Sequence, residues 1–127
     1  MDTMQQILDR EKGNNNHIYL YKIDDYWFAY EQSAFYLYSI CCVDAVFKYI
    51  DPDNKSVVLI SVLKDGYNTT KNPQLKVVER QQNKMTLDCS IICKGFTQWK
   101  AGVSTSGRDR SFVQIIHNFH HHSLCAV

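Results

Sequence analysis

The sequence predicts an α/β fold, in which a mixed β-sheet is flanked by helices on one or both faces. Its 127 residues are the usual size of one domain, and its apolar fraction of 45% and charged fraction of 21% are typical of a globular chain. Segments with the apolar period of a helix alternate with β-branched and aromatic runs that are typical of strands. The order helix, hairpin, helix and then several strands favours this architecture.

The first elements are a short helix, a hairpin and a second helix. Residues 4–12 place three apolar side chains on one helical face, and the Gly-Asn run that follows ends this helix. Residues 18–23 and 26–30 are predicted strands, and the Asp-Asp pair between them forms a tight turn. Residues 32–41 return to helical spacing, with Glu31 at a position that suits a helix N-terminus.

The second half of the chain is richer in strands. The remaining predicted elements are strands 43–50, 57–62, 75–79 and 85–92, a short helix 96–101 and a tail with helical spacing from residue 111. A polar Ser-Thr-Ser-Gly run marks the edge of the packed domain. We therefore predict a single domain over residues 1–103, then a polar linker and C-terminal tail over residues 104–127 that docks as a short amphipathic helix.

Charge and cysteine usage restrict the partners and the compartment. The net charge of +1 at pH 7 creates no global field toward nucleic acid, so any such contact needs a local patch. No signal-peptide core and no stretch long enough to span a bilayer is visible, so no membrane partner is expected. Five cysteines, an odd number, favour reduced thiols in the cytoplasm, the first four of them as small buried hydrophobes.

Aromatic residues are concentrated around the predicted hairpin. Eleven of the 16 aromatic residues lie between Tyr19 and Tyr49, more than a small region is expected to bury. The hairpin residues Tyr26, Trp27 and Phe28 are therefore predicted to offer flat, rigid contact surface to a base or a protein partner. The alternative is that strand alternation places half of these rings in the core and half in ladders on the sheet face.

The stretch from Leu20 to Tyr30, LYKIDDYWFAY, and the helix after it resemble the N-terminal mismatch-recognition domain of MutS proteins. In that family an apolar strand runs into a Gly-Asp-Phe-Tyr-Glu turn and return strand, and its phenylalanine stacks on the mispaired base. The resemblance implies the α/β fold of that domain and places Tyr26 at the stacking position. Phe28 replaces the glutamate that hydrogen-bonds the base, so mismatch reading of the known type should be absent.

Two further groups of residues have the chemistry of a binding site. His117, His121 and Cys125 are four residues apart and share one helix face, a spacing that suits zinc, and His120 and His122 add possible ligands. A fourth ligand and a fixed geometry are not evident, so no metal and no cofactor is assigned. Lys76, Arg80 and Lys84 are predicted to line one side of a hairpin, as phosphate contacts or as solvated charges.

No catalytic motif is present, because the chain lacks a nucleophile elbow, a phosphate-binding glycine loop and a dinucleotide fingerprint. An enzyme that uses a thiol or a metal stays a third hypothesis. The leading prediction is a non-catalytic binding module that contacts DNA or RNA through Tyr26, Trp27 and Phe28. Its alternative is a protein-interaction or homo-oligomerisation module without nucleic-acid binding.

Overall fold

The computed structural model describes residues 2–53, 55–66, 72–91, 93–103 and 110–121, with the backbone alone at residue 110. In this part of the chain there are four helices and six strands. In chain order they are α1 (Met4–Lys12), β1 (His17–Ile23), β2 (Tyr26–Tyr30), α2 (Gln32–Ile40), β3 (Ala45–Ile50), β4 (Val57–Lys64), β5 (Leu75–Arg80), β6 (Lys84–Cys89), α3 (Phe96–Gly102) and α4 (Arg110–His121). The α/β class predicted from the sequence is confirmed.

The strands form one sheet in the order β3-β4-β2-β1-β6-β5, and each neighbouring pair in it is antiparallel. The prediction of a mixed sheet is therefore wrong. Consecutive strands form the hairpins β1–β2, β3–β4 and β5–β6, and hairpin connections impose antiparallel pairing. Helix α2 leads to β3 at the edge of the sheet instead of carrying the chain over to a parallel neighbour of β2.

Helices cover both faces of the sheet. On one face α2 contributes Ala34 and Leu37 to a buried cluster against which Trp99 of α3 packs. On the opposite face Ile7 of α1 and Ile116 of α4 belong to a second buried cluster with strand residues. The protein is therefore a three-layer α/β/α arrangement with a core on each side of the sheet.

Helix α1 has a capping box at its N-terminus and a buried acid near its C-terminus. The Thr3 hydroxyl accepts from the backbone N–H of Gln6 at 3.1 Å, and the Gln6 side chain accepts from the N–H of Thr3 at 2.9 Å. Near the other end, the carboxylate of Glu11 accepts from the backbone N–H of Ser33 at 2.8 Å and from its hydroxyl at 2.6 Å. Glu11 therefore caps the start of α2 from another helix and fixes the two helices together.

Helix α4 is the docked amphipathic helix that the tail spacing predicted. Ile116 is fully buried, and Phe112 and Phe119 pack against the same core cluster. Residues 104–109 and 122–127, which include the polar run, His122 and Cys125, lie outside the described part of the chain. None of the helices in the described part has the length and apolarity needed to cross a bilayer.

Candidate functional site

The predicted aromatic hairpin forms, but its rings are not displayed on the surface. Phe28 is 0% exposed and Trp27 is 5% exposed. Tyr26 is half-buried, and its ring packs edge-on against Phe112 of α4, with ring centroids 5.0 Å apart. The expectation that Tyr26, Trp27 and Phe28 form one exposed contact surface is therefore wrong.

The burial of these rings follows from the position of β2. This strand lies between β1 and β4, inside the sheet, and both faces there are covered by helices. Because side chains alternate between the two faces along β2, Tyr26 and Phe28 point toward α4 and Trp27 points into the core on the opposite face. Of the eleven aromatic residues in this region, Tyr38 is the exposed one, at 47%.

The tip of the hairpin is acidic. Asp24 and Asp25 are exposed at the turn, and Asp65 from the end of β4 lies beside them. One carboxylate oxygen of Asp65 accepts from the Trp27 indole N–H at 3.0 Å, and the other pairs with Lys22 at 3.0 Å. Carboxylates repel phosphate, so this end of the sheet is a poor surface for a nucleic-acid backbone.

A groove lies on the α1/α4 face, beside the hairpin. A pocket of about 420 Å³ is lined by residues of α1, β1, the β5–β6 turn and α4. A second pocket of about 230 Å³ shares two of its lining residues. We call the combined depression the Lys84 groove and define it by Arg10, Tyr19, Tyr21, Gln81, Lys84 and Phe119.

The cations of the Lys84 groove converge on one carboxylate of the chain itself. The same oxygen of Asp2 lies 3.1 Å from Arg10 Nη1 and 3.0 Å from Lys84 Nζ. Arg10 also donates to the hydroxyl of Tyr21. Burial raises the pKa of Asp2, but hydrogen bonds from Lys84 and Arg10 outweigh it, so its pKa lies below the ordinary value. Arg10 and Lys84 thus stabilise the ionised carboxylate of Asp2.

The tyrosines hold the guanidinium of Arg10 in place. Its central carbon lies 5.5 Å from the ring centre of Tyr19 and 6.0 Å from that of Tyr21, within cation–π range. Burial raises the pKa of Tyr21 to about 12, so its hydroxyl stays neutral at physiological pH.

The predicted basic hairpin is divided between the two faces of the sheet. Lys84 pairs with Tyr21 and Lys76 with Asp88, on the groove face. Arg80 pairs with Met85 and therefore points to the other face, because directly opposed residues share a face. The expectation that Lys76, Arg80 and Lys84 line one side is wrong, since a bulge between Val77 and Glu79 shifts the register.

Histidines of α4 meet the turn between β3 and β4. His121 is 7% exposed in its side chain and lies 3.4 Å from a carboxylate oxygen of Asp51 and 3.4 Å from one of Asp53. His117 lies one helical turn earlier, with its ring 4.7 Å from that of His121. His120 turns toward the sheet and bonds the hydroxyl of Tyr30 at 2.9 Å, and burial lowers its pKa to about 4. The predicted helix face of His117 and His121 therefore exists.

The cysteines are divided between core and surface. Cys41 and Cys89 are buried as expected, whereas Cys42 is exposed and Cys93 is half-buried. Burial raises the pKa of Cys89, which is the opposite of what a nucleophilic thiolate needs.

Comparison with known proteins gives no family. No protein-family model, no curated protein and no solved structure matches the chain. The resemblance to the MutS N-terminal domain therefore stays a prediction.

Sequence reasoning missed the Lys84 groove, because its residues are far apart in the chain. Asp2 precedes α1 and Arg10 lies within it. Tyr21 belongs to β1 and Lys84 to β6. The only available signal was the basic character of the β5–β6 segment, which by itself is more often a solvated surface.

Proposed function

We propose that the chain is a non-catalytic binding module that holds an oxyanion, a phosphate or carboxylate group of its ligand, in the Lys84 groove. One observation supports this proposal: a single carboxylate oxygen of Asp2 forms ion pairs with both Arg10 and Lys84. A ligand oxyanion that displaced Asp2 would meet the same two cations and would accept charge-assisted hydrogen bonds from them.

The size and lining of the groove suit a ligand larger than an inorganic ion. A volume of about 420 Å³ lies within the range of small-molecule pockets. The amides of Gln81, Gln82 and Asn83 line the β5–β6 end of the pocket, and the half-buried ring of Phe119 lines the α4 side. Amides provide directional donors and acceptors, and a ring provides a flat apolar wall.

This proposal moves the predicted nucleic-acid contact to a new surface. The hairpin rings are enclosed and the hairpin tip is acidic, whereas the Lys84 groove has two cations and aromatic walls beside the carboxylates of Asp2 and Glu79. A nucleotide or a single-stranded nucleic acid offers both a phosphate and a base to such a groove. The MutS resemblance is consistent with a nucleic-acid ligand but does not specify this groove.

Binding of three probes tests the proposal: inorganic phosphate, adenosine monophosphate and a fluorescein-labelled oligothymidylate. We expect Lys84→Gln to weaken binding, because it removes one of the two cations. We expect Asp2→Asn to strengthen it, because the internal competitor loses its charge. Lys64→Gln is the matched control, since Lys64 is exposed at the end of β4 and lies outside the groove.

The probe that binds identifies the ligand class. Oligothymidylate affinity should fall steeply with salt if several phosphates are contacted, whereas a single bound phosphate group should show a shallow dependence. If neither the native chain nor Asp2→Asn binds any of the three probes, the proposal is wrong.

A second candidate function is self-association through β5, which lies at one end of the sheet order. Val77 and Val78 on this strand are 40% and 54% exposed. In an antiparallel pair of two β5 strands centred between these valines, Lys76 of each chain lies opposite Glu79 of the other, which is a favourable charge pairing. The bulge in β5 limits such pairing, so the dimer is expected to be weak.

Sedimentation equilibrium at several concentrations tests self-association. Val78→Lys should shift the equilibrium to monomer by placing like charges near the two-fold axis. Val57→Lys is the matched control, because Val57 has a similar exposure of 42% but lies on β4. A monomer at all concentrations contradicts this candidate.

A further inference from the structure

The turn between β3 and β4 and the last turn of α4 bring together three side chains that suit a metal ion. One ligand atom from each of Asp51, Asp53 and His121 lies within 4.8 Å of the others. The side chains of Asp51 and His121 are 1% and 7% exposed, whereas Asp53 is 69% exposed. The cluster thus has an enclosed side, formed by two nearly buried groups, and one open side.

The buried nitrogen of His121 points into this cluster without a hydrogen bond. Within the described part of the chain, Nε2 of His121 is enclosed and has no hydrogen-bond partner. Its distance of 3.4 Å from Asp51 Oδ1 exceeds the usual N–H···O separation of about 2.9 Å. Leaving such a nitrogen unsatisfied is costly, so a group that satisfies it would be stabilising.

The separation matches two ligands on a shared ion. Two atoms bound at about 2.1 Å to a tetrahedral zinc lie about 3.4 Å apart. This is the observed distance between His121 Nε2 and Asp51 Oδ1. The carboxylate of Asp53 lies 3.4 Å from the other ring nitrogen, and its exposure leaves it room to rotate toward the ion.

His117 lies outside this three-residue cluster in the structure, and rotation of its exposed side chain would let it supply a fourth ligand. It precedes His121 by four residues, the spacing at which two helical histidines bind one metal. Its ring is exposed and lies 4.7 Å from the ring of His121, and its Nδ1 is 3.3 Å from the hydroxyl of Tyr49.

We propose that Asp51, Asp53, His117 and His121 form a zinc-binding site that fastens α4 to the β3–β4 turn. Two imidazoles and two carboxylates are a set that zinc accepts. The proposed zinc site shares none of its residues with the Lys84 groove. Its consequence is structural: zinc bound to the folded chain alone raises the stability of the fold.

Isothermal titration of the full chain with zinc chloride, after dialysis against a chelator, tests the site. We expect about one equivalent to bind, and the melting temperature to rise with zinc. His117→Gln and Asp53→Asn should each weaken binding at least about tenfold, the lower end of the loss seen when a supporting residue of a metal site changes. Both residues have exposed rings or carboxylates, so both variants should fold.

His17→Gln is the matched control, because His17 is a partly exposed histidine 2.6 Å from the carboxylate of Asp88. Cobalt substitution separates this site from adventitious binding to the cysteines, since thiolates give a sulfur-to-metal charge-transfer band and imidazole and carboxylate ligands do not. A cobalt spectrum without that band supports the site. A thiolate band, no binding, or equal affinity in His117→Gln, Asp53→Asn and the native chain overturns it.

Discussion

Glu11 is a carboxylic acid enclosed between α1 and α2, and replacing it with glutamine should stabilise the protein at neutral and alkaline pH. Its side chain is 2% exposed, so the charged form loses most of its hydration. Burial raises the pKa of Glu11 to about 7 from its ordinary 4.5, although hydrogen bonds from Ser33 and Asn14 act in the opposite direction.

The direction and size of the effect follow from proton linkage. Below pH 4.5 the carboxyl is neutral in both the folded and the unfolded chain, so its burial costs no charge. Between pH 4.5 and 7 the unfolded chain loses this proton while the folded chain keeps it, and stability falls as pH rises. A difference of 2.5 pKa units corresponds to about 3 kcal/mol, which is then constant above pH 7.

Glutamine imitates the protonated acid, because its amide oxygen can still accept from the Ser33 backbone and from Asn14. Urea unfolding of the native chain and of Glu11→Gln, followed by tryptophan fluorescence from pH 4.5 to 8, gives the difference between their free energies of unfolding. This difference should grow by about 3 kcal/mol in favour of the variant across that range. Taking the difference removes the contributions of other titrating groups.

Glu79→Gln is the control for a loss of charge without burial, since Glu79 is exposed on β5. Its difference from the native chain should stay nearly constant with pH. A constant difference for Glu11→Gln as well would show that Glu11 is hydrated in solution, and the reasoning from its enclosure would fail.

Three further substitutions test the packing. Phe28→Ala should cost about 3–5 kcal/mol in urea unfolding, as expected for a fully buried phenylalanine, and a loss under 1 kcal/mol would contradict its enclosure. Tyr26→Ala should leave oligonucleotide binding unchanged but reduce the free energy of unfolding by about 1 kcal/mol, because it removes the edge-on contact with Phe112. A loss of binding without a loss of stability would instead support the hairpin as a nucleic-acid contact surface. Thr3→Ala should reduce the free energy of unfolding by about 1 kcal/mol through loss of the capping box, which is measured as a lower melting temperature. An unchanged melting temperature would show that α1 needs no cap.

Local patterns predicted the elements well, because each is encoded within a few neighbouring residues. Helix α1 and strand β2 have the predicted bounds, and α2 differs by one residue at its C-terminal end. The parallel or antiparallel arrangement depends on which strands become neighbours across the sheet. That choice is made by long-range packing, which a single sequence does not reveal.

The interpretation of the aromatic residues failed because it treated them as a local set. Their burial uses helices far away in the chain: Phe112 of α4 covers Tyr26, and Trp99 of α3 packs against Phe35 with ring centroids 5.1 Å apart. Two covered faces accommodate far more aromatic surface than one. Strand alternation does divide the rings of the hairpin between the two faces, but both faces are buried cores, so the alternative of rings in sheet-face ladders does not describe the hairpin either.

Helix α4 contributes a different side chain to each of the two proposed sites. Phe119 lines the Lys84 groove, and His121, two residues later, faces the β3–β4 turn. Side chains two residues apart on a helix point in different directions. One docked helix can therefore contribute to two separate sites. Phe112 of α4 also packs against both Tyr26 and Phe28, so the docking of α4 is part of the core. Because any ligand that binds only the docked helix stabilises that docking, zinc at the turn and an oxyanion in the groove would favour the same conformation of α4.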